Sequence, residues 1–284
     1  MDLRSLLGKV EESYKVRAVN LYSYLNLKSI RINSIVDGKD VEKRNAVENA
    51  IIIMNQLFRN SLKLVDTRLD KLEDAYNSLN YKFDCVNARL LYRGLVGVGD
   101  GFGRLAFEVG LSWDSILQLP FFPGSSVKGA VRAIARAVND GEVDIGIDVK
   151  DEDWLERIFG SSEGVGAGMG TVVFHDAYPI EANEKGLILE PDVMTPIYKD
   201  SIEEHKAKPT PIIFLAIARG VKFCFPLASK YEGDLEIAKR CLVKALEYGI
   251  GAKTLVGYSV LLFSNLYVII PSYEYKLSTL SASP

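Results

Sequence analysis

The stretch Leu119–Arg136 reads LPFFPGSSVKGAVRAIAR, and its reading decides both the fold and the function class. Pro123 and Gly124 end a strand, and Ser125 or Ser126 can cap the helix that follows by accepting a first-turn N–H. Beyond the cap, Val127, Ala130, Val131, Ile134 and Val138 share one helical face. Lys128, Arg132 and Arg136 recur four apart, stepping about 40° at each repeat. The pattern predicts a helix packed on a sheet, with a cationic stripe beside its apolar face. The helix start adds unpaired N–H groups and the positive end of the dipole. Glycine and serine there let a phosphate approach the backbone closely. The bland alternative is a solvated basic face on an ordinary capped helix.

Outward from this helix, residues 81–284 alternate short β-rich runs with helices. Strands are expected over Phe83–Tyr92, Arg104–Leu111, Thr171–Asp176, Ile212–Ala218, Val221–Pro226, Leu255–Phe263 and Leu266–Ile270, with helices near Trp154–Phe159 and Asp234–Tyr248. The pair Ile212–Ala218 and Val221–Pro226, joined by Arg219–Gly220, reads as a hairpin. An α+β, ferredoxin-like (RRM-like) fold of one or two fused units follows. Glu181–Thr210 is a long irregular connection, a length that often serves function.

Residues 1–80 differ and form a helical N-terminal extension. Leu3, Leu6, Leu7 and Val10 have helical spacing, and Leu21 and Leu25 continue it. After a turn at Asn33–Lys39, apolar residues from Val47 to Leu79 recur at steps of three and four, predicting a long amphipathic helix broken near Asn60–Ser61. Its stripe is expected to cover the protein's own core, with the surface of another subunit as the alternative.

Composition sets limits. The chain has 284 residues, 48% hydrophobic and 25% charged, with a net charge of -3. A general basic coat is excluded, so any nucleic-acid contact must be a local patch. The N-terminus lacks the pattern of a secretory signal, and no apolar run approaches the roughly 20 residues of a membrane helix. A cytoplasmic location is expected. Cys85, Cys224 and Cys241 are far apart, without a CxxC pair, and read as buried thiols rather than a disulfide framework or a zinc site. No metal and no cofactor are expected.

A second glycine-rich stretch, YGIGAKTLVGYSV at Tyr248–Val260, has Ala252 before Lys253 and runs from helix to strand. A Walker loop needs glycine before the lysine and the opposite order of elements. The functional reading makes Gly251, Lys253 and Thr254 phosphate contacts on an open loop. The bland one is a glycine C-cap leading into a strand. Upstream, RGLVGVGDGFGR brings Arg93 and Arg104 beside another glycine-rich loop.

Together these stretches resemble the RAMP superfamily of CRISPR proteins. The resemblance rests on Pro123, Gly124, Ser125, Ser126, Lys128, Gly129 and Arg132, and on Gly249, Gly251, Lys253, Thr254, Gly257 and Tyr258. FHDAYP (Phe174–Pro179) and DVMTP (Asp192–Pro196) narrow it to the sixth-subunit family of the type III-B (Cmr) effector complex. It covers about residues 83–265. The sequence departs from the pattern at Ser259, where a further glycine is usual, and at Ile197, where histidine is expected before Tyr198.

The resemblance implies a non-catalytic RNA-binding subunit. It would pack beside other RAMP subunits and grip the CRISPR RNA backbone toward its 3′ end, supporting target RNA capture in antiviral defence. RNA contacts are then expected from Gly124, Ser125, Ser126, Lys128, Arg132, Gly251, Lys253, Thr254 and Arg93, and a projecting hairpin from Glu181–Thr210. Two rival classes stand beside this reading. One is an endoribonuclease that processes CRISPR RNA, for which His175, His205, Asp176 and Asp192 are the candidate groups. The other is a protein-only scaffold.

Overall fold

The structure is a computed structural model and describes residues 20–35, 37–147, 149, 151–161, 168–195 and 211–263. Leu3–Val10, Leu266–Ile270, Ile197, Tyr198 and His205 lie outside the described residues, as does the part 196–210 of the segment Glu181–Thr210 from which a projecting hairpin is expected.

Two helices come first, α1 (Leu21–Ser34) and α2 (Lys39–Ser78). Of the expected stripe of α2, Val47, Ala50, Met54 and Val65 are buried, and Ile53 is buried beside them. The helix is continuous for 40 residues, without the break expected at Asn60–Ser61. Ser61 is buried there, and its hydroxyl donates to Leu57 O, so a polar residue is absorbed inside the helix.

The main sheet is antiparallel, in the order β11 (Leu261–Phe263), β1 (Lys82–Leu90), β10 (Lys222–Ser229), β6 (Val172–Phe174), and β7 (Tyr178–Glu181) also pairs with β10. Helices α4 (Gly124–Asn139) and α6 (Glu232–Tyr248) pack together on this sheet, while α2 runs past β1, β7 and the ribbon β8 (Leu189–Met194)–β9 (Ile212–Ile217). The mixed helix and antiparallel-sheet architecture expected from the sequence is present.

Three local expectations are corrected. β9 and β10 are not a hairpin: β9 pairs with β8, from Leu189↔Ile217 to Met194↔Ile212, and the Arg219–Gly220 turn carries the chain into the main sheet. Arg104–Leu111 is not a strand but contains the one-turn helix α3 (Arg104–Phe107), bracketed by left-handed Gly103 and Glu108. Cys85 and Cys224 form a disulfide, with Cα atoms 5.7 Å apart, because pairing of β1 with β10 joins segments 139 residues apart in sequence. Spacing along the chain cannot show such a pairing. Cys241 stays a buried thiol, its pKa pushed up to about 12 by burial.

Pro226 sits inside the central strand β10 and explains a gap beside it. A strand residue points its N–H and C=O to the same side. Pro226 O accepts the His175 N–H at 3.1 Å, so the N–H it lacks is missing on that side. The neighbouring strand accordingly splits into β6 and β7, and residues 175–177 leave the ladder between them.

Candidate nucleic-acid interface

The residues freed opposite Pro226 organise the start of α4. Asp176 Oδ1 accepts the Gly124 N–H at 2.7 Å, and Phe122 and Ala177 exchange backbone bonds of 2.9 Å. Helix α4 therefore begins at Gly124, with Pro123 at the N-cap and no side-chain cap of its own. The expected serine cap is corrected: the capping group comes from Asp176, 52 residues away. Gly124 is glycine for a local reason, since a Cβ there would lie 2.7 Å from Phe174 O. Ser125 and Ser126, released from capping, stand exposed at the helix start.

Across from α4 the glycine-rich loop after α6 is tied down by backbone bonds. Ala252 N–H donates to Leu95 O at 2.8 Å, and Ser259 N–H donates to Arg93 O at 2.8 Å. Gly251 has φ of 127°, and a Cβ on it would lie 2.6 Å from Leu95 O. The closing residue, Ser259, holds a left-handed φ of 57° and buries its hydroxyl, which accepts the Leu95 N–H at 2.9 Å. Glycine would reach that conformation without strain. The serine offsets the strain with a hydrogen bond. Thr254–Val256 form a 3-10 turn, so the expected strand Leu255–Phe263 shrinks to Leu261–Phe263.

These loops and α4 enclose an open cleft of about 550 Å³, lined by Ser126 and Ala130, by Gly249, Gly251 and Thr254, and by Val96–Gly99. The two glycine-punctuated elements and the RGLVGVGDGFGR loop thus converge. No lysine or arginine is among the residues that line the cleft. At 100° per residue, Lys128 lies about 200° round the helix from Ser126, and Arg132 about 120°. The stripe therefore runs along a different flank of α4 from the cleft.

Among the described residues that stripe has no counter-charge. Among the described residues, Arg89 and Lys222 share Glu181, Arg157 pairs with Asp234, and Lys239 with Asp84, whereas no carboxylate pairs with Lys128, Arg132 or Arg136. The Arg132 Nε is buried without a hydrogen-bond partner among the described residues. Arg93, by contrast, is held by Glu190 at 2.6 Å and Asp192 at 3.7 Å. Lys253, left-handed at φ 59° and exposed, reaches Met194 Sδ. Tyr258 donates to Asp192, and burial together with that bond pushes its pKa up to about 12.

The described candidate acid–base groups, His175, Asp176 and Asp192, are engaged within the chain. His175 Nε2 is 2.8 Å from the Tyr76 hydroxyl of α2. Burial holds the imidazole below its ordinary pKa, and Arg68 acts in the same direction against the opposing charge of Asp176. Asp176 is spent on Gly124 and Asp192 on Tyr258 and Arg93. No group of three or more His, Cys, Asp or Glu among the described residues could hold a metal ion, and no described helix is long and apolar enough to cross a membrane.

The helix start at Gly124 and the facing glycine loop carry the two main motifs on which the sequence resemblance rests. Residues 96–261 match the RAMP superfamily model, and the chain belongs to the RAMP superfamily. Within it, the chain is 28% identical over 298 aligned positions to the CRISPR system CMR subunit Cmr6 of Saccharolobus solfataricus, covering 95% of this chain and 99% of that protein. It is 26% identical to the CRISPR system Cms endoribonuclease Csm3 of Streptococcus thermophilus, over 66% of this chain and 88% of that one. Among solved structures, a chain of the type III-B Cmr-beta complex bound to cognate target RNA superposes with a TM-score of 0.76 at 26% identity, covering 93% of this chain and 98% of that one.

Proposed function

We propose that this chain is a non-catalytic RNA-binding subunit of a type III-B CRISPR effector complex, gripping the CRISPR RNA backbone toward its 3′ end and supporting target RNA capture. The observation that carries the reading is the convergence of α4 and two glycine-rich loops on one open cleft, with cations on the flank of the same helix that no described carboxylate neutralises. Amides of Ser125 and Ser126, the Gly251 backbone and the Thr254 side chain contact phosphate or ribose in the cleft, and Lys253 contacts phosphate at its edge. Lys128 and Arg132 hold the strand, or a neighbouring stretch of it, along the flank. Arg93 contributes only by exchanging its carboxylates for phosphate. Backbone contacts suffice because a guide reads its target by base pairing. The likenesses to Cmr6 and to a chain of the target-bound Cmr-beta complex support both the partners and the role.

The rival reading, an endoribonuclease, is favoured by the likeness to Csm3. Against it, His175 and Asp176 each already serve a structural partner in this chain. Co-purification decides the main question. The chain is expected to carry a short RNA and to travel with other RAMP subunits. Recovery of the assembled complex with no RNA contact to this chain would overturn the reading in favour of a scaffold. RNA cleavage lost in His175→Ala would favour the nuclease.

A further inference from the structure

Beside the cleft, the 3-10 turn Thr254–Val256 turns two aliphatic side chains away from the protein. Leu255 is 102% exposed and Val256 72%. Folding gives neither of them a place in the core. A frayed loop would explain such exposure, but this loop is anchored. Left-handed residues, Lys253 at φ 59° and Gly257 at φ 93°, bracket the turn. Val256 N–H donates to Lys253 O at 3.1 Å, and Gly257 N–H to Thr254 O at 2.9 Å. Just beyond it, the Ser259 hydroxyl holds Leu95 and the Tyr258 hydroxyl holds Asp192. The result is a fixed apolar tip on a braced support.

Its chain neighbours match the parts of a nucleotide. Lys253 offers a cation for phosphate, Thr254 lines the cleft and offers a hydroxyl for ribose, and Leu255 and Val256 offer an aliphatic surface for a base. Aliphatic wedges of this kind part neighbouring bases and are compensated by the contacts the opened strand makes. We propose that Leu255 and Val256 form a wedge that inserts between two bases of the RNA strand lying in the cleft and unstacks that step. The inference rests on the RNA-binding reading above and goes beyond it, since a backbone grip alone requires no contact with base faces. RNA is favoured over a protein partner because the tip continues from the cleft through Thr254 and is flanked by Lys253.

The test uses the full chain and a set of single-stranded RNA oligonucleotides, each carrying 2-aminopurine at one successive position. Unstacking raises the fluorescence of this base. The wild-type chain is expected to raise it at one position only. Leu255→Ala and Val256→Ala are expected to abolish that rise and weaken binding about five- to tenfold, the effect of lost apolar contact. They should leave the salt dependence of binding unchanged, because no phosphate contact is lost. Leu255 is wholly exposed, so thermal unfolding of the variants should match wild type. If the rise survives both substitutions, or if they disturb only association with another protein chain, the wedge is overturned and the cleft reading stands. If the wild-type chain binds with no salt dependence at all, the cleft reading fails and the wedge fails with it.

Discussion

Ser259 Oγ accepts the Leu95 N–H at 2.9 Å across 164 residues of chain, and this bond locks the two glycine-rich loops of the cleft together. Ser259→Ala keeps the left-handed strain and strands a buried N–H, so it is expected to cost about 1–3 kcal/mol. Ser259→Gly loses the same bond but sheds roughly 1 kcal/mol of strain, and should fall between alanine and wild type. Urea unfolding reads the order. An alanine variant as stable as wild type would refute this account of the loop.

The stripe that no described carboxylate neutralises and the paired arginine should behave differently toward RNA. Lys128→Ala and Arg132→Ala are each expected to flatten the slope of log affinity against log salt by about 0.7, the value for one phosphate contact on a single strand. Arg93→Ala should change that slope less, because its charge is already balanced by Glu190 and Asp192. Filter binding across several salt concentrations separates the cases, and equal slopes for all three variants would contradict the assignment.

Gly129 offers a cleaner discrimination between folding and binding. A Cβ there meets nothing within 4 Å, so Gly129→Ala should stabilise α4 by up to about 1 kcal/mol. It lies on the exposed face with Ser126. The same substitution should weaken RNA binding if a strand approaches that face closely. A variant that is both more stable and as tight a binder would mean that RNA keeps its distance from this part of the helix.

His175 gives a pH signature. Its imidazole is held below the ordinary value of 6.5, first by burial. The unfolded chain therefore binds the proton more readily than the folded one. The contribution of neutral His175 is complete above pH 6.5 and is lost as pH falls from there through the lowered folded value. Thermal unfolding of wild type should decline over that window, and His175→Gln should decline less. Parallel curves would place the imidazole in water rather than against Tyr76.

The long helix, the α4 helix and the α+β character were legible because each rests on local spacing. The apolar residues of α2 and the stripe of Lys128 and Arg132 repeat with helical period whatever surrounds them. What was not legible depends on partners. Asp176 caps α4 from a loop that leaves the ladder opposite Pro226, and neither residue announces that relation in sequence. The β9–β10 hairpin failed because strand propensity identifies a strand without naming its neighbour. The Cys85–Cys224 link was hidden for the same reason. Of the site, the two motifs were visible and do converge, but the angular offset of Lys128 and Arg132 from the cleft needed a helix start fixed at Gly124. Ser259 looked like a lapse in a glycine pattern, and only its φ and its buried bond account for it.

Helix α2 supplies the hydroxyl that faces His175, lays Arg68 over the Tyr178 ring at 5.1 Å, and stacks Tyr76 on Phe83. Helix α2 is therefore no removable appendage. A chain trimmed at Tyr81 would bare this aromatic face to water, and the intact molecule should melt in a single cooperative step, with splint and sheet giving way together.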